Sequence, residues 1–331
     1  MTLEQLREVA LDNGLKAFAG KQMAEWLYNK RVTSIDEMTN LSIKAREELK
    51  KSYKVGRFAP KQEAVSSDGT VKYLFDGKGG RDIEAVYIPD KERATLCVSS
   101  QAGCRMGCTF CMTGRQGFHG NLTVTDIINQ VLSIPLSEKL TNIVFMGMGE
   151  PMDNLHAVMQ ALEVLTAPWG LAWSPKRITV SSIGKINELK TLLDETKVHV
   201  AISVHSPMSE QRASLMPVEK AYPLKSVIEL LRGYDFAHQR RLSIEYIMWK
   251  GVNDSLRQAQ SLARLLKGLD CRVNLIRFHA IPDSPLTTAN HETMVAFRDR
   301  LNELGITATI RTSRGEDIAA ACGMLAGQKK C

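Results

Sequence analysis

Three cysteines in one short stretch have the spacing of metal ligands. The stretch reads Cys-Arg-Met-Gly-Cys-Thr-Phe-Cys, and its thiols belong to Cys104, Cys108 and Cys111. Thiolates are soft ligands that favour zinc, copper(I) and iron–sulfur clusters. A structural zinc site normally has four protein ligands, and His119 is the nearest residue that could supply the fourth. Three thiolates suit a four-iron cluster better, because one iron is then left without a protein ligand and can react. A zinc site that uses His119 and a buried apolar triplet remain as alternatives.

A second candidate motif is the sequence Gly-Met-Gly-Glu-Pro at residues 147–151, which follows the apolar run 143–146. Two glycines at the end of a strand let the backbone approach a ligand closely, and the Glu150 carboxylate can accept hydrogen bonds from an ammonium group. A glycine pair after a strand is also a common turn. The residues alone therefore leave both interpretations open.

Together these motifs resemble a known family. The cysteine spacing, with an aromatic residue before the last cysteine, resembles the radical S-adenosylmethionine (SAM) signature. The surrounding sequence resembles the RlmN/Cfr family of RNA adenosine methyltransferases, and the similarity extends from about residue 70 to the C-terminus. The matching segments are Ala94-Thr-Leu-Cys-Val-Ser-Ser-Gln, Phe145-Met-Gly-Met-Gly-Glu-Pro151, Val273-Asn-Leu-Ile-Arg277 and Arg314-Gly-Glu-Asp-Ile-Ala-Ala-Ala-Cys-Gly323.

The resemblance implies two cofactors and the residues that hold them. A 4Fe-4S cluster is expected on Cys104, Cys108 and Cys111, with two molecules of SAM used per turnover. Glu150 matches the element that holds the amino group of SAM. His279 occupies a position where the family often has Asn. The residues expected to contact SAM are Gly149, Glu150, Ser181, Ser203, Val204, His205 and His279.

Two further cysteines acquire catalytic roles only through the resemblance. From its own surroundings, Cys322 in an Ala-rich segment is a small buried hydrophobe, and so is Cys97 in a strand. In the family, the residue at the Cys322 position is methylated by one SAM and carries the carbon, and the residue at the Cys97 position resolves the covalent adduct by forming a disulfide. Glu84 matches the position of the proton acceptor, although a glutamate in an alternating strand usually faces solvent. A reactive Cys322 thiolate also predicts a cationic neighbour that lowers its pKa, with Arg311 and Arg314 as candidates.

The implied reaction is methylation of carbon 2 of an adenosine in 23S rRNA, and of the adenosine 3′ of the anticodon in some tRNAs. Carbon 2 of adenine is electron-poor and cannot attack the methyl group of SAM, whereas a carbon radical can add to it. The resemblance also implies an external electron donor such as flavodoxin, and a monomer. Two alternatives remain: a Cfr-type enzyme that methylates carbon 8 of the same rRNA adenosine, and a zinc-stabilised RNA-binding protein without catalysis.

Composition is compatible with this function. The chain has 331 residues and a formal net charge of +7, which makes an anionic partner such as RNA plausible. No apolar run approaches the length of a membrane span, and the first residues are not typical of a signal peptide. Seven cysteines, three of them clustered, are typical of metal and redox chemistry in a reducing cytoplasm. We expect Cys271 to be a packing residue and Cys331 to be incidental.

The elements that must position these residues follow an α/β pattern. We expect an N-terminal helical RNA-docking domain at 1–58, a connector of short β-strands at 59–92, and a radical SAM core with the catalytic cysteine segment at 93–331. Alternating strands and helices predict a partial (β/α)6 barrel, with chemistry at the carboxyl ends of its strands. The predicted strands are 94–99, 142–146, 177–182, 198–204, 242–248 and 271–278. The helices predicted between and after them are 123–134, 154–166, 185–195, 223–233, 254–268 and 290–304.

Overall fold

The computed structural model describes residues 1–238 and 240–326, and one large mixed sheet forms its centre. The strands found in these residues are β1 (Gln62–Val65), β2 (Val71–Phe75), β3 (Ile83–Asp90), β4 (Arg93–Cys97), β5 (Gln101–Gly103), β6 (Phe118–Asn121), β7 (Asn142–Phe145), β8 (Ile178–Ser182), β9 (His199–Ser203), β10 (Leu242–Met248), β11 (Cys271–Arg277) and β12 (Ala308–Ile310). All except β5 and β6, which form a separate hairpin, belong to the large sheet.

Helices cover the sheet and form the N-terminal region. The α-helices are α1 (Leu3–Asp12), α2 (Ala19–Ala24), α3 (Ile43–Ser52), α4 (Met112–Arg115), α5 (Val124–Leu132), α6 (Leu155–Thr166), α7 (Ile186–Glu195), α8 (Ser209–Leu215), α9 (Leu224–Arg232), α10 (Leu256–Leu266) and α11 (His291–Glu303). Side-chain caps fix several of their starts: Thr123 accepts a hydrogen bond from the backbone of Asp126, and Ser255 accepts one from that of Gln258. Such caps satisfy backbone N–H groups that have no partner within the helix.

The prediction of a partial (β/α)6 barrel is confirmed. Strands β4, β7, β8, β9, β10 and β11 lie side by side in chain order, and every neighbouring pair is parallel. They correspond to the six predicted strands, with small shifts at their ends. The sequence prediction missed β12, which adds a further parallel strand beside β11. It also did not place β1 to β3 in the same sheet, where they continue the edge at β4 as antiparallel strands.

Apolar side chains explain why these strands form the interior. A parallel strand that is covered on both faces needs a nearly continuous run of apolar residues. Each of the six predicted barrel strands has a fully buried residue in its interior, as at Leu96, Ile143, Val180, Ile202, Ile244 and Val273. Because the strands share one direction, the loops that follow them meet at a single edge of the sheet.

The N-terminal helices pack against this core through the same continuous hydrophobic cluster. After α2 the chain makes a π-helical turn (Glu25–Asn29), whose Tyr28 ring lies 5.9 Å from the Trp169 ring of the core. Asn129 on α5 exchanges two hydrogen bonds with the backbone of Phe58, at 2.8 and 3.0 Å. The division into domains at residues 58 and 92 stays a prediction, and the expectation for Cys331 falls outside the described residues.

Within the described ranges, none of the helices combines the length and the apolar content needed to cross a bilayer.

Candidate functional site

One cavity opens at the carboxyl ends of the parallel strands and brings together most of the predicted site residues. Loops and strand ends from across the barrel contribute to its wall. The lining includes Cys104, Cys108, Cys111, Gly149, Glu150, Ser181, Ser203, His205, Glu245, Arg311 and Cys322. This is the edge at which parallel α/β folds bind their ligands.

The three clustered cysteines lie on a loop that the backbone holds in place. The N–H of Cys104 donates to the carbonyl of Gly117 (2.9 Å), and the N–H of Cys111 donates to that of Cys108 (3.2 Å). Burial raises the pKa of Cys104 to about 12 and that of Cys108 well above its usual value, and the neighbouring thiols add to both shifts. Metal binding deprotonates such thiols. Three thiols close enough to interact, in one cavity wall, fit a cluster that takes one thiolate on each of three irons.

The zinc alternative required His119, which lies outside the cavity lining. Its Nε2 atom is 3.0 Å from the carbonyl oxygen of Gln116, so that bond already engages one ring nitrogen. Across residues 1–238 and 240–326, no three His, Cys, Asp or Glu side chains have the spacing of ligands to a single metal ion.

The segment after β7 brings a carboxylate to the cavity beside the cysteine loop. Gly149 has a φ of +95°, and a Cβ atom there would lie only 2.5 Å from the side chain of Gln101. The Glu150 carboxylate accepts hydrogen bonds from the backbone N–H groups of Met152 and Ile183, each at 3.1 Å. Burial nevertheless raises the pKa of Glu150 to about 7. An ammonium group bound here would favour the ionised carboxylate, as the SAM assignment requires.

The polar residues predicted at the ends of β8 and β9 differ in their placement. Ser181, Ser203 and His205 line the cavity, whereas Val204 is fully buried and donates its backbone N–H to the backbone carbonyl of Glu245 (3.0 Å). His205 has a φ of 57°, and the N–H of Ile247 donates to its Nδ1 atom (3.1 Å). Burial lowers the pKa of His205 to about 3, so the ring is neutral and its proton is on Nε2.

Arg212 on α8 is an organising residue that sequence reasoning missed. Its side chain is fully buried and forms an ion pair with the carboxylate of Glu219. The remaining guanidinium N–H groups donate to the carbonyls of Ile183, Ser203 and Val204, at 3.0 to 3.1 Å. Arg212 thereby joins the ends of β8 and β9, which carry the polar cavity residues. Its sequence surroundings contain no signal of this role, because its partners are carbonyl groups of loops distant along the chain.

Cys322 and Arg311 line the cavity, whereas Cys97 is buried outside its lining and interacts electrostatically with both residues. Cys322 reaches solvent through the cavity, and burial raises the pKa of its thiol despite the opposing charge of Arg311. Burial, followed by the charge of Cys322, raises the pKa of Cys97 to about 12. The expected cationic neighbour is therefore Arg311, whereas Arg314 lies 3.8 Å from Asp90. The expected lowering of the Cys322 pKa is wrong in direction, because burial outweighs the charge of Arg311.

A buried carboxylate holds Arg311 at this position. Oε2 of Glu245, on β10, lies 3.6 Å from Nη1 of Arg311, and Oε1 accepts a hydrogen bond from the side chain of Asn274 (2.8 Å). Sequence reasoning also missed Glu245. The signal was a charged residue in the otherwise mostly apolar strand Leu242–Met248, since buried charges are rarely left without a partner.

Glu84 and His279 lie outside the cavity lining. Glu84 is buried rather than facing solvent: Nζ of Lys72 lies 3.2 Å from its Oε1, and the backbone N–H of Ala326 donates to its Oε2 (2.9 Å). Nδ1 of His279, beyond the end of β11, lies 3.2 Å from Oε1 of Glu316. The roles of both residues stay predictions.

Comparisons with known proteins agree with this architecture. Residues 98–263 match the model of the radical SAM superfamily, and residues 1–55 match that of the ribosomal RNA large subunit methyltransferase N-terminal domain. A crystal structure of a radical SAM methyltransferase from Sphaerobacter thermophilus superimposes with a TM-score of 0.92 at 38% identity, covering 98% of this chain and 97% of that one.

Relatives with assigned names are similar over the full length of the chain. A protein from Bacteroides fragilis, named probable dual-specificity RNA methyltransferase RlmN, is 58% identical over 100% of this chain and 96% of its own length. The dual-specificity RNA methyltransferase RlmN of Syntrophobacter fumaroxidans is 40% identical over 99% of this chain and 97% of its own. With the cysteine motif and the barrel in place, the chain belongs to the RlmN family of radical SAM methyltransferases.

Proposed function

We infer that this protein is a SAM-dependent RNA methyltransferase that methylates carbon 2 of an adenosine in 23S rRNA, and of the adenosine 3′ of the anticodon in some tRNAs. The observation that carries this function is the shared cavity of Cys322 and the three clustered cysteines, with Cys97 near enough for the charge of Cys322 to raise its pKa. Carbon 2 of adenine cannot act as a nucleophile, so its methylation requires a carbon radical. A thiol that can carry the methyl group and a cluster motif that can generate the radical lie in one cavity.

The residues present fit the two cofactors of the superfamily. Cys104, Cys108 and Cys111 would hold the 4Fe-4S cluster, while Glu150 and the serines at 181 and 203 face the same cavity and would contact SAM. When bound, these groups supply the electron and the 5′-deoxyadenosyl radical that activate a methyl group on sulfur. One SAM provides the methyl group and a second provides the radical, so two are consumed per turnover.

The protein's own cysteines then act in sequence. The Cys322 thiolate takes the methyl group of SAM by displacement, leaving S-adenosylhomocysteine, and Arg311 favours the thiolate electrostatically. Once the carbon has bonded to the base, the Cys97 thiolate attacks the Cys322 sulfur and breaks its bond to that carbon. The carbon leaves with the bonding electron pair and takes up a proton, which completes the methyl group. The two cysteines are left as a disulfide, which the external electron donor would reduce before the next turnover. Glu84 is the proposed acceptor of the proton lost from carbon 2. In this structure its two oxygens contact the ammonium group of Lys72 and the backbone N–H of Ala326.

Analysis of product nucleosides tests this function. We expect RNA treated with the reconstituted enzyme, SAM and a reductant to contain 2-methyladenosine, measured by mass spectrometry against both methyladenosine standards. A product of 8-methyladenosine would assign the chain to Cfr-type chemistry. Colourless protein that contains zinc, lacks iron and leaves the RNA unmodified would favour the zinc-stabilised RNA-binding alternative.

The N-terminal helices are the proposed RNA-docking module. Lys16, Lys21 and Lys44 are exposed on or beside α1, α2 and α3, where their ammonium groups can contact phosphates without reading the sequence. The match of residues 1–55 to an rRNA methyltransferase domain supports this role. The remaining proposals are that the enzyme works as a monomer in the cytoplasm and receives electrons from an external donor such as flavodoxin.

Removing two of these charges should reduce the salt dependence of RNA binding. For Lys16→Gln/Lys21→Gln, we expect the slope of log affinity against log salt to become shallower by about 0.7 to 0.9 per lost phosphate contact. The control is Lys197→Gln/Lys267→Gln, which removes the same charge after α7 and α10, on the edge of the barrel opposite the cavity. Equal slopes for the two variants would mean that the N-terminal module is only a structural cap.

A further inference from the structure

The segment that carries Cys322 has little regular structure of its own, so other elements must hold it at the cavity. Residues 313–326 follow β12 and contain no helix or strand. Cys322 nevertheless has to meet SAM on one side and RNA on the other, and a reactive group misplaced by about 1 Å loses much of its rate. The contacts that fix this segment therefore bear on the reaction.

Two separate parts of the protein hydrogen-bond to the segment on either side of Cys322. On the N-terminal side, Ser66 Oγ and the N–H of Ser67 donate to the Asp317 carboxylate, at 2.6 and 3.1 Å. The N–H of Gly315 donates to the carboxylate of Asp68 (3.0 Å). These partners belong to the turn between β1 and β2, at the antiparallel edge of the sheet.

The C-terminal side is held by the residues that directly follow the last clustered cysteine. The N–H of Met112 donates to the carbonyl of Gly323 (2.8 Å), and Oγ1 of Thr113 donates to the carbonyl of Leu325 (2.6 Å). Thr113 is 2% exposed, so no solvent can replace this bond. Helix α4, which directly follows the loop that supplies the proposed cluster ligands, thus holds the backbone that follows Cys322.

We propose that Thr113 and Ser66 are positioning residues for Cys322. Together they form a clamp that holds the segment on both sides of Cys322 and fixes the position of its thiol in the cavity. This deepens the proposed function and rests on it, because the clamp matters only if Cys322 accepts a methyl group. Neither residue lines the cavity. Each acts through the backbone or side chain of the segment. The two anchors belong to different elements, the turn between β1 and β2 and helix α4, and hold the segment on opposite sides of Cys322.

The test measures methyl transfer to Cys322 separately from cluster content. Protein prepared without methyl on Cys322 is reconstituted with iron and sulfide and incubated with SAM, and methylation is followed by intact-protein mass. We expect Thr113→Val to lower the transfer rate about tenfold, which corresponds to about 1.4 kcal/mol and to the loss of one hydrogen bond. Iron content and reductive cleavage of SAM should stay at wild-type levels. Thr113→Ser, which retains the hydroxyl, should restore the rate.

A second variant and a matched control keep the test decisive. Ser66→Ala removes the other anchor, on the turn between β1 and β2, and should also slow methyl transfer at unchanged iron content. Thr166→Val removes the same type of bond, from a hydroxyl to the carbonyl of Leu162 (2.8 Å) at the end of α6, and should have no effect. The clamp is refuted if Ser66→Ala transfers methyl at the wild-type rate, or if Thr113→Ser is as slow as Thr113→Val. Failure of the proposed function is seen separately, as wild-type protein that acquires no methyl group on Cys322.

Discussion

Replacing Cys322 by alanine is expected to abolish methylation of RNA while leaving the iron–sulfur cluster in place. Cys322 is the proposed acceptor of the methyl group. Of the other cysteines in residues 1–238 and 240–326, Cys97 and Cys271 are buried, and the three clustered cysteines are expected to bind iron. Loss of a covalent nucleophile removes the reaction path itself, so the rate should fall by several orders of magnitude. The measurement is the amount of 2-methyladenosine formed per enzyme molecule as a function of time.

Two controls show whether the loss of RNA methylation is specific to the Cys322 thiol. Iron content and reductive cleavage of SAM to 5′-deoxyadenosine should persist in Cys322→Ala, because the residue is not one of the proposed cluster ligands. Cys271→Ala removes a cysteine from the start of β11, where burial raises its pKa to about 12, and should methylate RNA normally. If Cys322→Ala still methylated RNA, no methyl group would pass through this residue and the carrier proposal would have to be abandoned.

Strands and the cysteine motif were predictable because their signals are local. A run such as Ile143–Phe145 is apolar along the chain, and burial inside a parallel sheet needs nothing more. The three thiols likewise lie within eight residues of one another, so their spacing could be seen directly in the sequence. In contrast, Ala308–Ile310 is too short to show a period, and β12 forms because β11 offers it a partner.

The environments of Glu84, Arg212 and Cys322 depend on contacts between residues far apart in sequence. A glutamate in an alternating strand usually faces solvent, but Glu84 is buried, and the backbone of Ala326, which lies 242 positions away, donates to its carboxylate. Arg212 binds carbonyls of two other loops, and only the folded barrel brings these together. The direction of the Cys322 pKa shift depends on the balance between desolvation at the cavity and the opposing charge of Arg311. Residue types in the sequence could identify candidate site residues, whereas the pKa values and hydrogen-bond partners of these residues depend on burial in the folded chain.

Replacing Cys97 by alanine is expected to trap a covalent complex between the protein and RNA. In the proposed sequence, the base is bonded through carbon to the Cys322 sulfur until Cys97 attacks that sulfur. The two thiols are close enough that the charge of Cys322 raises the pKa of Cys97. Without Cys97, the adduct should form at a normal rate and persist. It should appear on a denaturing gel as a slowly migrating band that RNase shortens.

The pKa of Cys97 adds a requirement to this step. A thiol whose pKa is raised to about 12 is largely protonated at neutral pH and is a poor nucleophile. Arg311, held by Glu245, is the cation placed to favour its thiolate. Resolution in the wild-type enzyme should therefore become faster as the pH rises, because the populated thiolate fraction increases, while formation of the adduct in Cys97→Ala should lack this dependence on the Cys97 thiolate.

The double variant Cys97→Ala/Cys322→Ala distinguishes this adduct from other crosslinks. It should give no band, because the carbon bridge to the base starts at Cys322. Turnover of Cys97→Ala at the wild-type rate, with free methylated RNA and no trapped complex, would show that another group resolves the adduct. A band that persisted in the double variant would place the covalent bond elsewhere and would contradict the assignment of Cys322 as the carrier. Adduct in the single variant only is the result that assigns both cysteines their roles.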